Sequence, residues 1–266
     1  DACIEASNIG LIIVATSTPD YAFPNQASLV QAKLKAVNAM CFDVSAACSG
    51  FITALDIAAS MLKTGSYKYA LVIGSEKMSE IVNWKDRSVC VLFGDGAGAV
   101  VLKAVDNNTE DDTGVSAGHE RGIIDSNIYN DGTGASVLTG GRRFSDSCST
   151  DIFIHMDGQE VFKFAVKSVP TAIETLLHNN NMDVNDVDKF ILHQANVRII
   201  ESVAKRLKAD KDKFPVNLNE YGNTSSASIP ILLDELNRNG SLKQEEKLVL
   251  AGFGAGLSWG SILLVW

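Results

Sequence analysis

Residues 43–65, DVSAACSGFITALDIAASMLKTG, decide the fold of this chain. Positions 49–63 predict a helix that is apolar on nearly every side, which is typical of a helix buried between other elements. Gly65 predicts its end, because glycine is a common residue just after a helix. Cys48 stands at the head of this helix. The stretch therefore predicts a buried helix with a cysteine at its N-terminus.

Cys48 has two interpretations. A free cysteine is a common occupant of a protein core, so packing alone explains it. A helix N-terminus, however, lowers the pKa of a thiol, because unpaired backbone N–H groups and the helix dipole favour negative charge there. The neighbours Ala46, Ala47, Ser49 and Gly50 are small and leave room for a substrate carbonyl. We therefore expect Cys48 to be a nucleophile with a lowered pKa.

Two later motifs supply its partners. His193 opens the sequence HQAN, and Asn223 follows glycine in GNTS. Asn223 alone reads as a helix cap before Ser225 and Ser226. Cysteine, histidine and asparagine together indicate acyl transfer through a covalent intermediate. The sequence therefore predicts a Cys–His–Asn site.

Composition limits the class of protein. The chain has 266 residues, of which 46% are hydrophobic and 7% aromatic, and 21 are glycine. It can bury one large core or two fused half-sized cores, and we expect a layered α/β fold. A net charge of −9 argues against a nucleic-acid partner, and an acidic protein partner would need a local basic patch.

Cysteine usage and hydropathy indicate the compartment. The cysteines are odd in number and show no CxxC or metal-like spacing, so we expect no metal site, free thiols and a cytoplasmic protein. We find no apolar run of 18 residues and no signal peptide, and we expect no membrane partner. The cysteines are Cys3, Cys41, Cys48, Cys90 and Cys148.

The chain looks duplicated. Gly65 follows Cys48 by 17 positions and Gly240 follows Asn223 by 17, each interval reading as turn, helix, glycine and then strand. We therefore expect Cys48 and Asn223 at equivalent turns around one centre. We divide the chain into an N-terminal half (1–112), a connecting excursion (113–150) and a C-terminal half (151–266). Strands are predicted at 11–16, 69–73, 89–93, 97–103, 189–192, 247–251 and 261–265.

Seven segments along the chain resemble a family of condensing enzymes, the β-ketoacyl-acyl carrier protein synthases III. The resemblance implies a thiolase-like five-layer α-β-α-β-α sandwich of two duplicated halves. The family pattern usually opens with a further strand–helix segment before the first of these motifs. The segments are LIIVATSTPDYAFP (11–24), DVSAACSGF (43–51), DRSVCVLFGDGAGAVVL (86–102), DGQEVFKFAV (157–166), HQANVRII (193–200), GNTSSASIP (222–230) and FGAGLSWGSILL (253–264).

The resemblance implies a role for each central residue. Cys48 would take the acyl group of acyl-CoA as a thioester. His193 and Asn223 would hold the carbonyl of malonyl-acyl carrier protein during decarboxylation and so initiate fatty acid biosynthesis. The backbone N–H groups of Cys48 and Ala255 would form the oxyanion hole. Asparagine at 223, where elongating synthases carry histidine, favours the initiating type.

Further residues are carried over from the same resemblance. Arg87 would stack on the CoA adenine, and Phe23 would cross a homodimer interface to shape the acyl pocket. Phe253 would shield the decarboxylation site. Asn196 and the turn at Gly158 would line the pantetheine tunnel, and Ala195 would also bind substrate. Arg198, Lys205 and Arg206 would dock the carrier protein, although Lys205 and Arg206 read equally well as solvated charges.

Three alternatives remain open. A papain-type hydrolase also orders Cys, His and Asn along the chain, but its C-G-[SA]-C-[WY] context is missing here. A non-catalytic acyl-CoA-binding protein of the same fold would not need all three residues. A thiolase-fold acyltransferase or polyketide-type condensing enzyme would use another primer. The CoA thioester is expected as substrate, with no resident cofactor.

Overall fold

The computed structural model describes residues 2–105, 121–141 and 152–266. Two four-stranded sheets, the two-stranded pair β6-β7 (Leu138–Thr139 and His155–Met156) and six α-helices are the main elements of the described part of the chain. No helix in these ranges is both long and apolar enough to cross a bilayer. The strands are β1 (Leu11–Ala15), β2 (Met40–Val44), β3 (Tyr69–Glu76), β4 (Gly96–Lys103), β5 (Gly122–Asn130), β6 (Leu138–Thr139), β7 (His155–Met156), β8 (Lys189–Leu192), β9 (Lys247–Gly254) and β10 (Ser258–Val265). The helices are α1 (Gln26–Leu34), α2 (Gly50–Lys63), α3 (Gly158–Asn179), α4 (Val197–Leu207), α5 (Leu218–Tyr221) and α6 (Ser228–Arg238).

The first sheet has the strand order β2-β1-β3-β4 and the second the order β5-β10-β9-β8. In the first sheet β1 runs parallel to β2 and β3, and β4 runs antiparallel to β3. In the second sheet β8 and β9 are parallel, and β10 is antiparallel to both of its neighbours. Every residue of β1 (LIIVA) is buried, as expected for a strand that is covered on both faces.

Five layers alternate through the molecule. Helices α2 and α6 lie between the sheets, where Phe51 and Ile229 share one apolar cluster with Ile13 of the first sheet and Leu250 of the second. Helix α1 covers the outer face of the first sheet, and α3 and α4 cover the outer face of the second. The predicted five-layer sandwich is confirmed, as is the buried central helix, which begins at Gly50 instead of residue 49.

The two halves repeat with a register that differs from the predicted one. The first residues of β1 and β8, of α2 and α6, and of β3 and β9 each lie 178 positions apart. Helix α6 has 11 residues and α2 has 14. The predicted alignment of the two halves was counted back from Gly65 and Gly240, so this difference in helix length moves it by three residues. The turn residue equivalent to Cys48 is therefore Ser226, and Asn223 precedes the equivalent turn.

One predicted strand was wrong, and strands β2 and β5 were not predicted. Residues 89–93 form turns, because Val89 and Cys90 donate their N–H groups back to the Asp86 carbonyl and only Phe93 makes a bridge, to Asn223. Strand β2 was missed. Strand β5, within the predicted excursion 113–150, pairs with β10 and completes the second sheet. Strand β5 (GIIDSNIYN) was not predicted because polar residues interrupt its apolar pattern. Of that excursion, the described residues include only 121–141. The 112/113 boundary also lies outside the described residues.

Candidate active site

One cavity of about 620 Å³ lies at the centre, where the two sheets and their buried turns meet. Cys48, His193 and Asn223 all line it, although they are far apart in sequence. The structure therefore brings the three predicted central residues together. Five further predicted residues also line the cavity: Gly158, Ala195, Asn196, Phe253 and Ala255.

Cys48 lies in a 3-10 turn, Ala47–Ser49, which leads directly into α2. Ala47 holds the left-handed conformation, with φ 45°. Strand β9 passes close to the turn: a Cβ added to Gly254 would lie 2.9 Å from the Cys48 nitrogen. Glycine at this position lets the strand backbone and the turn that carries Cys48 approach each other.

The pKa of Cys48 differs from the sequence expectation. Burial raises the pKa of the thiol to about 12, and the nearby Glu76 carboxylate raises it as well. The hydrogen bond with the Ser225 hydroxyl and the backbone N–H of Cys48 act in the opposite direction but are outweighed. The expectation of a lowered pKa was wrong, because the free-energy cost of burying a thiolate is larger than the stabilisation that the hydrogen bonds of the turn provide. The resting group is a neutral thiol.

His193 follows β8 and is almost completely buried. Burial lowers its pKa to about 3, so the imidazole is neutral. Its Nδ1 lies 2.7 Å from Ser228 Oγ, which also accepts the Gln194 N–H at 3.3 Å. Either atom can be the donor of the bond between Ser228 Oγ and Nδ1. In the tautomer in which the Ser228 hydroxyl donates to Nδ1, the ring hydrogen is on Nε2 and that nitrogen is a donor.

Asn223 is held by its backbone and by its side chain. Its N–H donates to the Leu92 carbonyl at 2.8 Å, and its own carbonyl accepts from Gly94 at 3.0 Å. Its Oδ1 accepts the Ser225 N–H at 2.8 Å. With Oδ1 occupied, the Nδ2 amide is the end that has hydrogens to donate. The cap interpretation and the cavity-facing interpretation of Asn223 are therefore compatible.

Three polar residues near the cavity were missed in the sequence. Ser225 lines the cavity, Ser228 contacts His193, and Glu76 ends β3 with 4% exposure. Ser225 and Ser228 lie in the same GNTSSASIP segment as Asn223. A carboxylate directly after the apolar run YALVIGS was the available signal for Glu76, because the carboxyl ends of parallel strands often carry functional groups.

Other predicted contacts lie away from this cavity. Arg87 is exposed, although the next residue, Ser88, lines the cavity. Phe23 is 86% exposed and does not reach the cavity of its own chain. Arg198, Lys205 and Arg206 are exposed on α4, with Asn196 capping the helix through the Arg198 N–H.

Five alternating layers around a buried cysteine turn define the thiolase-fold class of condensing enzymes. Family models for 3-oxoacyl-[acyl-carrier-protein] synthase III match residues 42–132, and those for the C-terminal part of that enzyme match residues 177–266. The chain belongs to the 3-oxoacyl-[acyl-carrier-protein] synthase III family. It is an acyltransferase of the condensing type, and the family predicted from the motifs is confirmed.

Individual relatives agree along nearly the whole chain. The β-ketoacyl-[acyl-carrier-protein] synthase III of Clostridium acetobutylicum is 46% identical over 272 residues, which cover 100% of this chain and 80% of the relative. That of Ehrlichia chaffeensis is 47% identical, covering 99% and 79%. The crystal structure of the Aquifex aeolicus enzyme superposes with a TM-score of 0.89 at 43% identity, covering 99% of this chain and 79% of that one. The polyketide-type and non-catalytic alternatives are not favoured.

Proposed function

We propose that Cys48 accepts an acyl group from acyl-CoA, with acetyl-CoA as primer, and that malonyl-acyl carrier protein then condenses with this thioester as it loses CO₂. One observation carries the proposal: Cys48, His193 and Asn223 line a single cavity. Covalent catalysis divides a difficult transfer into two easier ones. The product remains on the carrier protein, as required to initiate fatty acid biosynthesis.

The second step, the decarboxylation of the malonyl group, would use hydrogen-bond donors. His193 Nε2–H and the Asn223 amide would bind the thioester oxygen of the malonyl group as it becomes an enolate. Removal of one such donor typically costs about 3 kcal/mol of transition-state stabilisation. The neutral state of His193 supports a donor role, because its hydrogen is retained across physiological pH. Backbone N–H groups of Cys48 and Ala255 would stabilise the oxyanion at the acyl-cysteine.

Substrate positioning completes the site. The edge of the His193 ring faces Phe253, with the ring centroids 5.3 Å apart, which supports a role for Phe253 in keeping water from the decarboxylation site. Gly158, Ala195 and Asn196 would line the pantetheine path, and Arg87 would contact the adenine. Coenzyme A enters as part of the substrate, and no resident cofactor is part of the proposal.

Mass spectrometry tests the nucleophile. The protein is incubated with acetyl-CoA before any malonyl carrier is present, and peptides are then mapped. We expect one acetyl group on Cys48 that is stable at neutral pH. A papain-type hydrolase would turn over the thioester without accumulating this adduct. The absence of acetyl from Cys48 in protein that condenses acetyl-CoA would contradict the proposal.

Carrier-protein docking is assigned to the exposed face of α4 with Arg198, Lys205 and Arg206. Their charge is local in a chain with a net charge of −9, and complementary charge accelerates the encounter with an acidic partner. Arg198→Glu should raise KM for malonyl carrier about tenfold at low salt and leave KM for acyl-CoA unchanged. Lys103→Glu, an exposed position on β4, is the control. Equal effects from both variants would contradict this docking surface.

A homodimer is part of the same proposal. Phe23 and Tyr21 are 86% and 60% exposed, and clustered exposed aromatic groups usually mark an interaction surface. Strand β2 forms one edge of the first sheet, which leaves a side that a second copy can cover. Phe23→Ala should weaken the dimer and broaden the accepted acyl-CoA chain length. Light scattering that shows a fully active monomer would contradict it.

We place the protein in the cytoplasm. The described cysteines Cys3, Cys41, Cys48 and Cys90 are all free thiols, as suits a reducing compartment. Fractionation of the source cells with an antibody to the chain should recover it with cytoplasmic markers. Recovery with secreted proteins would contradict this.

A further inference from the structure

Glu76 is a buried carboxylate between the two halves of the chain, and no step proposed above uses it. It ends β3 with 4% exposure, and four donors surround it. Oε2 accepts the Ser17 N–H at 3.0 Å and the Thr18 hydroxyl at 2.8 Å. Oε1 accepts the hydroxyls of Ser225 and Ser226, each at 3.0 Å. The carboxylate therefore joins the segment after β1 to the turn before α6.

The turn before α6, Ser225–Ala227, is held against the first sheet. Besides its bond to Glu76, the Ser226 hydroxyl lies 2.9 Å from the Ala15 carbonyl and can donate to it. Ser225 holds φ at 50°, a left-handed conformation that is costly for a residue with a side chain and persists where the surrounding structure holds it. The bond from the Ser225 hydroxyl to Glu76 is one of the contacts that hold it.

Ser225 also sets the orientation of the Asn223 amide. Its backbone N–H donates to Asn223 Oδ1 at 2.8 Å, so the oxygen end of the amide is occupied. The Nδ2 end carries the hydrogens that a substrate carbonyl can accept. Without the Ser225 N–H in this place, the amide would lose the contact that distinguishes its two ends, and a turned amide would present oxygen to the carbonyl.

We propose that Glu76 is a positioning residue for decarboxylation, because it holds Ser225 in the conformation whose N–H orients the Asn223 amide. The inference rests on the proposed function of Asn223 as a donor to the malonyl thioester oxygen. Glu76 is not among the described residues that line the cavity, whereas Ser225 and Asn223 both line it. The effect of Glu76 should therefore pass through Asn223 and appear in decarboxylation.

Glu76→Gln weakens this contact with little change in side-chain size. Glutamine offers one acceptor oxygen instead of two. Because the Ser17 backbone N–H cannot rotate, we expect the oxygen to stay with it and the NH₂ group to face the Ser225 hydroxyl. CO₂ release from malonyl carrier should fall about 10- to 10²-fold through displacement of the amide. The loss should appear in kcat and leave KM for malonyl carrier unchanged, because the contact acts in the transition state.

The acylation step should respond differently to the same change. The Glu76 carboxylate raises the pKa of the Cys48 thiol, so removal of its charge makes the thiolate easier to form. Acetylation of Cys48 by acetyl-CoA should therefore not slow in Glu76→Gln. A general loosening of the site would slow both steps.

Two matched variants remove one hydroxyl each from the two oxygens of the carboxylate. Ser225→Ala removes a donor to Oε1 and should slow CO₂ release about tenfold, because the bond that holds the turn is lost. Thr18→Val removes a donor to Oε2 and leaves both bonds to the turn in place. It should release CO₂ at close to the wild-type rate.

A double-mutant cycle separates positioning from a purely structural role. Asn223→Ala removes the amide, and its own loss should be about 10²- to 10³-fold, the cost of one oxyanion donor. If Glu76 acts through this amide, adding Glu76→Gln to Asn223→Ala should slow CO₂ release no further. A structural role independent of Asn223 would give the same loss in both backgrounds.

CO₂ release and acetylation of Cys48 are measured on the full chain, with circular dichroism as the check of folding. Equal losses from Glu76→Gln with and without the Asn223 amide would overturn the inference. A loss in Thr18→Val as large as in Ser225→Ala would also overturn it, even if Glu76→Gln fails to fold. If Asn223→Ala releases CO₂ at the wild-type rate, the proposed function of Asn223 fails and the inference falls with it. That outcome is distinguishable from a failure of the inference alone, in which Asn223→Ala is impaired.

Discussion

Two turns at the centre of the molecule occupy equivalent places in the repeat, yet carry different chemistry. Ala47–Ser49 leads into α2 and Ser225–Ala227 leads into α6, with a spacing of 178 residues. Each begins with a residue of positive φ, 45° and 50°. Each also lies against a strand glycine from the opposite half: Gly252 faces the first turn and Gly74 the second. The backbone is repeated, whereas a cysteine is present only in the first turn, as Cys48.

The residues at the ends of the equivalent strands also differ between the two halves. At the same spacing His193 corresponds to Ala15, and Glu76 corresponds to Gly254. Glycine at 254 allows the close approach to Cys48, whereas the carboxylate at 76 binds the second turn through Ser225. The comparison shows how a repeated backbone places Cys48 in one half and His193 and Asn223 in the other around one cavity.

The first prediction removes the distinguishing side chain. Cys48→Ser should reduce condensation to background, because a hydroxyl is a much weaker nucleophile without a dedicated base. Decarboxylation of malonyl carrier should persist, since His193 and Asn223 lie in the other half. Product formation and CO₂ release are measured in parallel, with Cys90→Ser as the control. Normal condensation by Cys48→Ser would contradict the division of roles.

The second prediction removes a donor from the C-terminal half. His193→Ala should slow decarboxylation by roughly 10²- to 10³-fold, the usual cost of one oxyanion donor, while Cys48 acylation remains largely intact. Label transfer from acyl-CoA and CO₂ release measure the two steps. His178→Ala, at an exposed position on α3, is the control. Loss of acylation before decarboxylation would favour a hydrolase-like role for His193.

The third prediction tests the close approach of strand and turn. A methyl group at Gly254 would lie 2.9 Å from the Cys48 nitrogen, so the nucleophile turn must shift. Gly254→Ala should lower the acylation rate by about 10²-fold, as expected for a displacement of about 1 Å. Gly132→Ala meets open space and should behave as wild type. Unchanged acylation in Gly254→Ala would show that the approach is not required.

The fourth prediction concerns stability and pH. The pKa of His193 is about 3 in the folded protein and about 6.5 when unfolded. As pH falls below 6.5 the unfolded chain binds a proton that the folded protein excludes, so stability is lost. At pH 5 the loss is about 2 kcal/mol. Urea unfolding at pH 7.5 and pH 5 measures how much the free energy of unfolding falls between the two pH values. This fall should be smaller in His193→Ala than in the wild-type protein by about 2 kcal/mol. An equal fall in both proteins would contradict the prediction.

The sequence predicted the features that depend on short local motifs, and it did not predict those that depend on contacts between distant parts of the chain. The motifs around Cys48, His193 and Asn223 led to one cavity, and the apolar run 49–63 led to the central helix. The thiol pKa was predicted with the wrong sign, because its burial depends on β9, about 200 residues away. Strand β2 was missed because Asp43 interrupts its apolar pattern in order to cap α1.

A chase experiment tests the central claim, that Cys48 in one half holds the acyl group while donors in the other half drive condensation. Enzyme labelled on Cys48 with radioactive acetyl-CoA is freed of CoA and mixed with malonyl carrier and excess unlabelled acetyl-CoA in one rapid-quench run. The account predicts that the label leaves Cys48 at the turnover rate and appears in the first β-ketoacyl product. Label that stays on Cys48 while unlabelled product accumulates would contradict it.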